Sequence, residues 1–215
     1  SSPNINRQIV TFSLLKHWTG NGDWRYGDEF VKNYNGLYAV SVLRCGGLQH
    51  HKFFSWIKAT RYCLKNNNSI IIEKYCSWNI FLKTLYSSLT YNLSLHSSLI
   101  KLSFNKRTAP EQSLEYLLLL EKNRYASNYL SNKLIYYCVS AILKIVQPSK
   151  VLNYHFEYPA GRAIAKASRD QNFDVKSFGL QHGPISQGKW CYDLCSLMNK
   201  DEFLKDFCPN IFLLE

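Results

Sequence analysis

The chain has 215 residues, 46% hydrophobic and 15% aromatic, with 26 Lys and Arg against 15 Asp and Glu and a formal net charge of +11. It is too apolar and too aromatic for wholesale disorder and long enough for one substantial core, while two complete domains of similar size would each be small. No run of about 18 apolar residues and no basic-then-apolar opening segment occurs, so the expected location is cytoplasmic, with the basic surface able to hold the protein at the inner face of the cytoplasmic membrane.

The positive balance suits an anionic partner, and a phospholipid surface, a pyrophosphate-linked substrate and nucleic acid all meet that description. A basic protein with solvated lysines meets it too. Residues 44–74 alone carry six basic side chains against one acidic, Glu73. The seven cysteines are an odd number without paired metal-ligand spacing, which points to a reducing compartment. Cys191 and Cys195 could share one helical face, but without another close pair they read as two thiols, and no metal is expected.

In chain order, the apolar-rich Gln8–His17 leads into WTGNGDWRYG over Trp18–Gly27. The glycines and Asn/Asp residues mark a loop, and Trp18 and Trp24 either pin it to the core or stack on a sugar or base. The glycine spacing fits neither a dinucleotide fingerprint nor a P-loop. Leu37–Leu43 is an expected strand closed by a turn at Arg44-Cys45-Gly46-Gly47. His50 begins a helix through about Leu64 that carries Phe53, Phe54 and Trp56. The adjacent His50 and His51 face different directions on a helix and do not make a metal pair. Asn66–Ser69 is a turn, and Ile70–Ile72 is either a short strand or the opening of the next helix. Tyr86–Phe104, rich in Ser, Leu, Tyr and Asn, does not decide its own structure. Lys101–Pro110 is a basic connection. Ser113–Leu120 and Leu130–Val146 are the most helical stretches, with apolar residues on more than one stripe and no heptad register. Pro148 stops the second. Helices outnumber strands here, so the expected architecture is an α/β domain with a helical insertion at about residues 70–146.

The most informative stretch follows, Val151–Gly183, VLNYHFEYPAGRAIAKASRDQNFDVKSFGLQHG. Val151–Phe156 has strand composition. Ala160, Ala163, Ile164 and Ala167 recur on one helical face, with Arg162, Lys166 and Arg169 turned elsewhere. Pro159 suits the first helical turn, Asp170–Asp174 is a polar return, and Val175–Leu180 is a strand that can lie parallel to the first. Such a βαβ unit puts Glu157 at the end of one strand and Gln181-His182-Gly183 at the end of the next, where an α/β sheet opens its cleft. His182, on a loop constrained by Gly183 and Pro184, can contact a phosphate or sugar oxygen, exchange a proton, or make a structural hydrogen bond. Glu157 can act as a general base, hold a sugar hydroxyl or pair with Arg162. His155 shares the strand face of Glu157 but lies further in and reads as core or support.

The pattern Glu157, Arg162-Ala163, a helix, then Gly179-Leu180-Gln181-His182-Gly183-Pro184 resembles the motif region of bacterial surface-carbohydrate biosynthesis proteins, among them capsule and lipopolysaccharide glycosyltransferases with two Rossmann-like lobes. The likeness covers about residues 151–190. It implies a GT-B fold, with residues 1–215 as a single Rossmann-like amino-terminal, acceptor-side lobe and the donor-binding lobe absent from the chain. It also implies transfer of a sugar from a nucleotide-activated donor to a surface-polysaccharide or lipid-linked glycan acceptor. Glu157 and His182 would be catalytic, and Arg162, Gln181 and Gly183 would bind substrate; Trp24, in the aromatic loop outside the likeness, is a further substrate-binding candidate by stacking. No cofactor is implied, the nucleotide sugar being a substrate. An anionic membrane surface fits the charge, and nucleic acid is not the expected partner. The alternatives are a noncatalytic glycan- or partner-binding scaffold in polysaccharide assembly and a basic nucleic-acid-binding protein.

Overall fold

The computed structural model describes residues 8–14, 33, 35–41, 53–104, 111–153, 159–180 and 211–213. The chain divides into two units, residues 1–76 with 135–215 and residues 77–134.

The first unit is an α/β sheet. Its strands are β1 (Ile9–Leu14), β2 (Gly36–Ser41), β3 (Ser69–Ile71), β4 (Lys150–Asn153), β5 (Lys176–Leu180) and β6 (Ile211–Leu213). They pair in the order β3-β2-β1-β4-β5-β6, and every pairing is parallel. Ile9 lies opposite Gly36 on one side and Lys150 on the other, and Phe12 opposite Ala39 and Asn153. All six residues of β2 are buried, as are Ile9–Ser13 of β1. Burial on both faces is what parallel sheets covered by helices require, and it explains the apolar run Leu37-Tyr38-Ala39-Val40. Asn35 enters β2 with a positive φ of 49°, a conformation that Asn tolerates better than most residues.

Helix α1 (Phe53–Lys65) joins β2 to β3 and buries Ala59 and Cys63. After β3 the chain makes a 3-10 turn, Ile72–Tyr75, rather than opening directly into a long helix. The expected stretches Ser113–Leu120 and Leu130–Val146 belong to one helix, α3 (Glu111–Val146). The polar residues between them contain neither Gly nor Pro, so nothing there interrupts a helix. The end of α3 that belongs to the first unit buries Ile135, Cys138, Val139, Ile142, Leu143 and Val146, a three- and four-residue spacing that forms one face. Gln147 closes it with φ of 46° and a backbone N–H donated to Leu143 O at 2.8 Å, and Pro148 prevents continuation.

Helix α4 (Pro159–Arg169) links β4 to its parallel neighbour β5. The expected face is buried at Ala160, Ile164 and Ala167 but only half-buried at Ala163, and it is widened by Gly161, Ala165 and Ser168, while Arg162, Lys166 and Arg169 are half-buried. Burial of Ile164 contributes about 2 kcal/mol, and the small residues beside it let the helix approach the sheet closely. At its far end Asp170 accepts hydrogen bonds from Tyr136 Oη at 2.6 Å and Lys166 Nζ at 2.8 Å. Both contacts are solvent-accessible, so their joint contribution is modest.

In the second unit, α2 (Trp78–Phe104) begins where Ser77 Oγ accepts the Ile80 backbone N–H at 3.2 Å, an N-cap. Tyr91 stacks on Tyr129 of α3 with ring centroids 4.4 Å apart. No described helix is long and apolar enough to cross a membrane.

Candidate functional site

The strand order creates a switch point. From β1 the chain moves to β2 on one side, and from β4 it moves to β5 on the other, so the crossovers diverge between the adjacent strands β1 and β4. In open parallel sheets this divergence opens a crevice outside the carboxyl ends of the strands, and ligands bind there. The carboxyl edge is therefore the place to build a site.

Asn153 ends β4. Its side chain is 1% exposed, and its Nδ2 donates to Gly161 O in the first turn of α4 at 2.7 Å. This bond ties the end of β4 to the first turn of α4. Ser41 ends β2 and is 1% exposed; its Oγ donates to Glu73 Oε1, in the turn after β3, at 2.6 Å. A carboxylate thus stands at the carboxyl side of β2 and β3, oriented by a hydroxyl. Ser13, at the same end of β1, is buried, and its Oγ has no hydrogen-bond partner among the described residues. A small, nearly wholly apolar cavity is lined by Phe12, Ile72, Ile135 and Ile164 with the smaller Ser13, Ser41 and Ala160. Its walls are suited to packing rather than to holding a polar ligand.

Cys138 lies in the same neighbourhood. Burial pushes its thiol up to about 12, and the adjacent Cys76 and the Glu73 carboxylate add to the effect. Burial likewise pushes Cys63 up to about 11. Thiols held this firmly in the neutral form are poor nucleophiles and poor metal ligands, so both act as small core residues. None of Cys63, Cys76 and Cys138 forms a disulfide. Among the described residues no group of three or more His, Cys, Asp or Glu could hold a metal ion.

Of the residues singled out from sequence, Arg162 lies in the first turn of α4, half-buried, next to the Gly161 whose carbonyl Asn153 holds. Helix N-termini carry partial positive charge, and an arginine there adds to it, so this turn is the cationic side of the carboxyl edge. Glu157, Gln181, His182, Gly183 and Trp24 lie outside the described residues, as does His155. In the sequence Glu157 follows Asn153 by four residues and His182 follows Leu180 by two. Sequence reasoning missed three groups: Glu73, Ser41 and Asn153. Glu73 carried a signal, since Ile70-Ile71-Ile72-Glu73 is an apolar run ending in a carboxylate, the same pattern that drew attention to Glu157. Ser41 and Asn153 carried none, because their partners are set by tertiary contact.

Among the described residues the edge carries two half-buried charged groups, the Glu73 carboxylate and the Arg162 guanidinium, while Ser13, Ser41 and Asn153 are buried. These two charged groups can hydrogen-bond a hydroxylated ligand and meet an anionic group. Comparison with protein-family models, with curated proteins and with solved structures finds no match.

Proposed function

We propose that the chain is the acceptor-side lobe of a GT-B glycosyltransferase that moves a sugar from a nucleotide-activated donor to a surface-polysaccharide or lipid-linked glycan acceptor. The observation that supports this reading best is the β4-α4-β5 unit. Its strands are parallel neighbours and β4 borders the switch point, so β4 and β5 end at the same edge of the sheet, four residues before Glu157 and two before His182 in the sequence. In the proposed reaction an acceptor hydroxyl attacks the anomeric carbon, the bond from that carbon to the nucleotide phosphate breaks, and the phosphate leaves with the bonding pair. Glu157 takes the hydroxyl proton in an inverting displacement, and His182 and Gln181 contact the sugar or phosphate. Arg162 meets the anionic leaving group from the first turn of α4. Gly183 leaves room for close approach, and Trp24 stacks on a sugar ring.

The test is sugar transfer by the enzyme with both lobes, followed by intact mass over a panel of nucleotide sugars and glycan or lipid-linked acceptors. The expected product is heavier than the acceptor by one sugar residue, and Glu157→Gln and His182→Ala each lower kcat/KM by about a hundredfold while the circular dichroism spectrum stays unchanged. Undiminished turnover in both variants at subsaturating substrate overturns the site. Binding of acceptor glycans by folded protein without turnover on any donor instead favours a scaffold.

A further inference from the structure

Helix α2 is built the wrong way round for a helix whose apolar side faces a core. Its buried positions include Thr84 and Ser88 beside Leu95, while its large apolar residues face outward. Trp78 is 80% exposed, Tyr86 71%, Leu93 68%, Leu82 58% and Leu89 54%, and Phe81 is exposed as well. At 100° per residue these six fall within an arc of about 140° and run along roughly 22 Å of helix. They form one continuous stripe, not scattered surface residues.

Charge indicates what covers it. Between Glu73 and Glu111 the sequence has no Asp or Glu, and it has Lys74, Lys83, Lys101, Lys106 and Arg107. A second copy of this chain would bring two of these basic, acid-free segments together. An anionic lipid surface is complementary to such a segment. The side-chain types agree: Trp, Tyr, Phe and Leu form the stripe, and Lys83, Thr90, Ser94 and Ser97 lie exposed beside it at headgroup height. We propose that α2 is an interfacial helix that lays its Trp78–Leu93 stripe on an anionic phospholipid surface, lying in the plane of the interface rather than crossing it. This inference is independent of sugar transfer, since a protein that binds vesicles and transfers nothing would still satisfy it.

The test is flotation with vesicles of phosphatidylcholine, alone and with about a third phosphatidylglycerol. The expected result is partition onto the anionic vesicles that weakens with salt and falls at least tenfold in Leu89→Glu/Leu93→Glu. Leu64→Glu, an equal change of side chain at an exposed position of α1, is expected to keep most of the binding. As a readout independent of those variants, brominated acyl chains should quench tryptophan emission, and Trp78→Phe should remove most of that quenching. Failure of the wild type to bind anionic vesicles overturns the proposal. So does undiminished binding by the α2 double variant, an equal loss in Leu64→Glu, or quenching unchanged in Trp78→Phe. Concentration-dependent dimerisation abolished by the double variant would assign the stripe to a second copy instead.

Discussion

Replacing Asn153 by Asp changes one side-chain NH2 to oxygen and tests the bond that ties β4 to α4. The native amide donates to Gly161 O at 2.7 Å from a position that is 1% exposed. An ionised Asp has no donor and would set a carboxylate against a carbonyl oxygen in a buried site. The folded protein escapes by protonating the new side chain, which then donates to Gly161 O, and the cost of that proton caps the electrostatic penalty. With an unfolded-state value of about 3.9, the cap is about 4.2 kcal/mol at pH 7 and about 1.5 kcal/mol at pH 5. The folded-state value is raised above the unfolded one, so the compensating stability is complete below about pH 4 and is lost as pH rises. Asn153→Leu, by contrast, loses about 1 kcal/mol of net hydrogen bonding plus a packing misfit, with no pH dependence. Urea titrations followed by circular dichroism at pH 5 and pH 7, each referenced to wild type, should show the Asp deficit shrinking by as much as about 2.7 kcal/mol on acidification. A deficit that stays constant between the two pH values, or that is smaller at pH 7 than that of Asn153→Leu, would refute the claim that this amide is a buried donor to α4.

Three further outcomes are expected. Ser41→Ala removes the donor that Glu73 accepts at 2.6 Å, and denaturant titration should show a loss of about 2 kcal/mol, because a hydrogen bond to a charged group is among the stronger ones. Cys63 and Cys138 hold folded-state values of about 11 and about 12 against an ordinary 9.0. In alkali the unfolded chain releases these protons first, so each thiol should cost about 1 kcal/mol of stability by pH 10, and Cys138→Ala should flatten the decline above pH 9 relative to wild type. Gln147→Gly relieves the positive φ that closes α3 and should raise the melting temperature, by an amount equivalent to about 0.5–1 kcal/mol.

The β4-α4-β5 unit was legible because its periodicity changes from strand to helix to strand with Pro159 at the junction, and each change has a local cause. Strand β1 was not identified as such. Thr11 and Ser13 interrupt its apolar pattern, yet both are buried, since the centre of a parallel sheet covers both faces of a strand whatever its residues are. Helix α2 was opaque for the opposite reason: hydroxyl residues occupy part of its covered face and Leu, Trp and Tyr its exposed one, so a reading that assigns apolar residues to the core finds no face. In the candidate site Arg162 could be assigned to a helix from spacing alone. The Ser41–Glu73 pair could not, because a contact across 32 residues depends on strand order, and strand order is not written in any one segment.

The pairing of β1 with β4 also sets a schedule for synthesis. Ile9 meets Lys150 only after some 140 further residues have been made. At about 5–20 residues per second, β1 waits on the order of ten seconds on the ribosome with β2 and β3 able to pair on one side and its other edge open. A central strand that is an edge strand while the chain grows exposes Ile9, Val10 and Phe12 to the neighbouring nascent chains of a polysome. Slowing translation between β3 and β4 should therefore lower the soluble yield, while a holdase that covers strand edges should restore it.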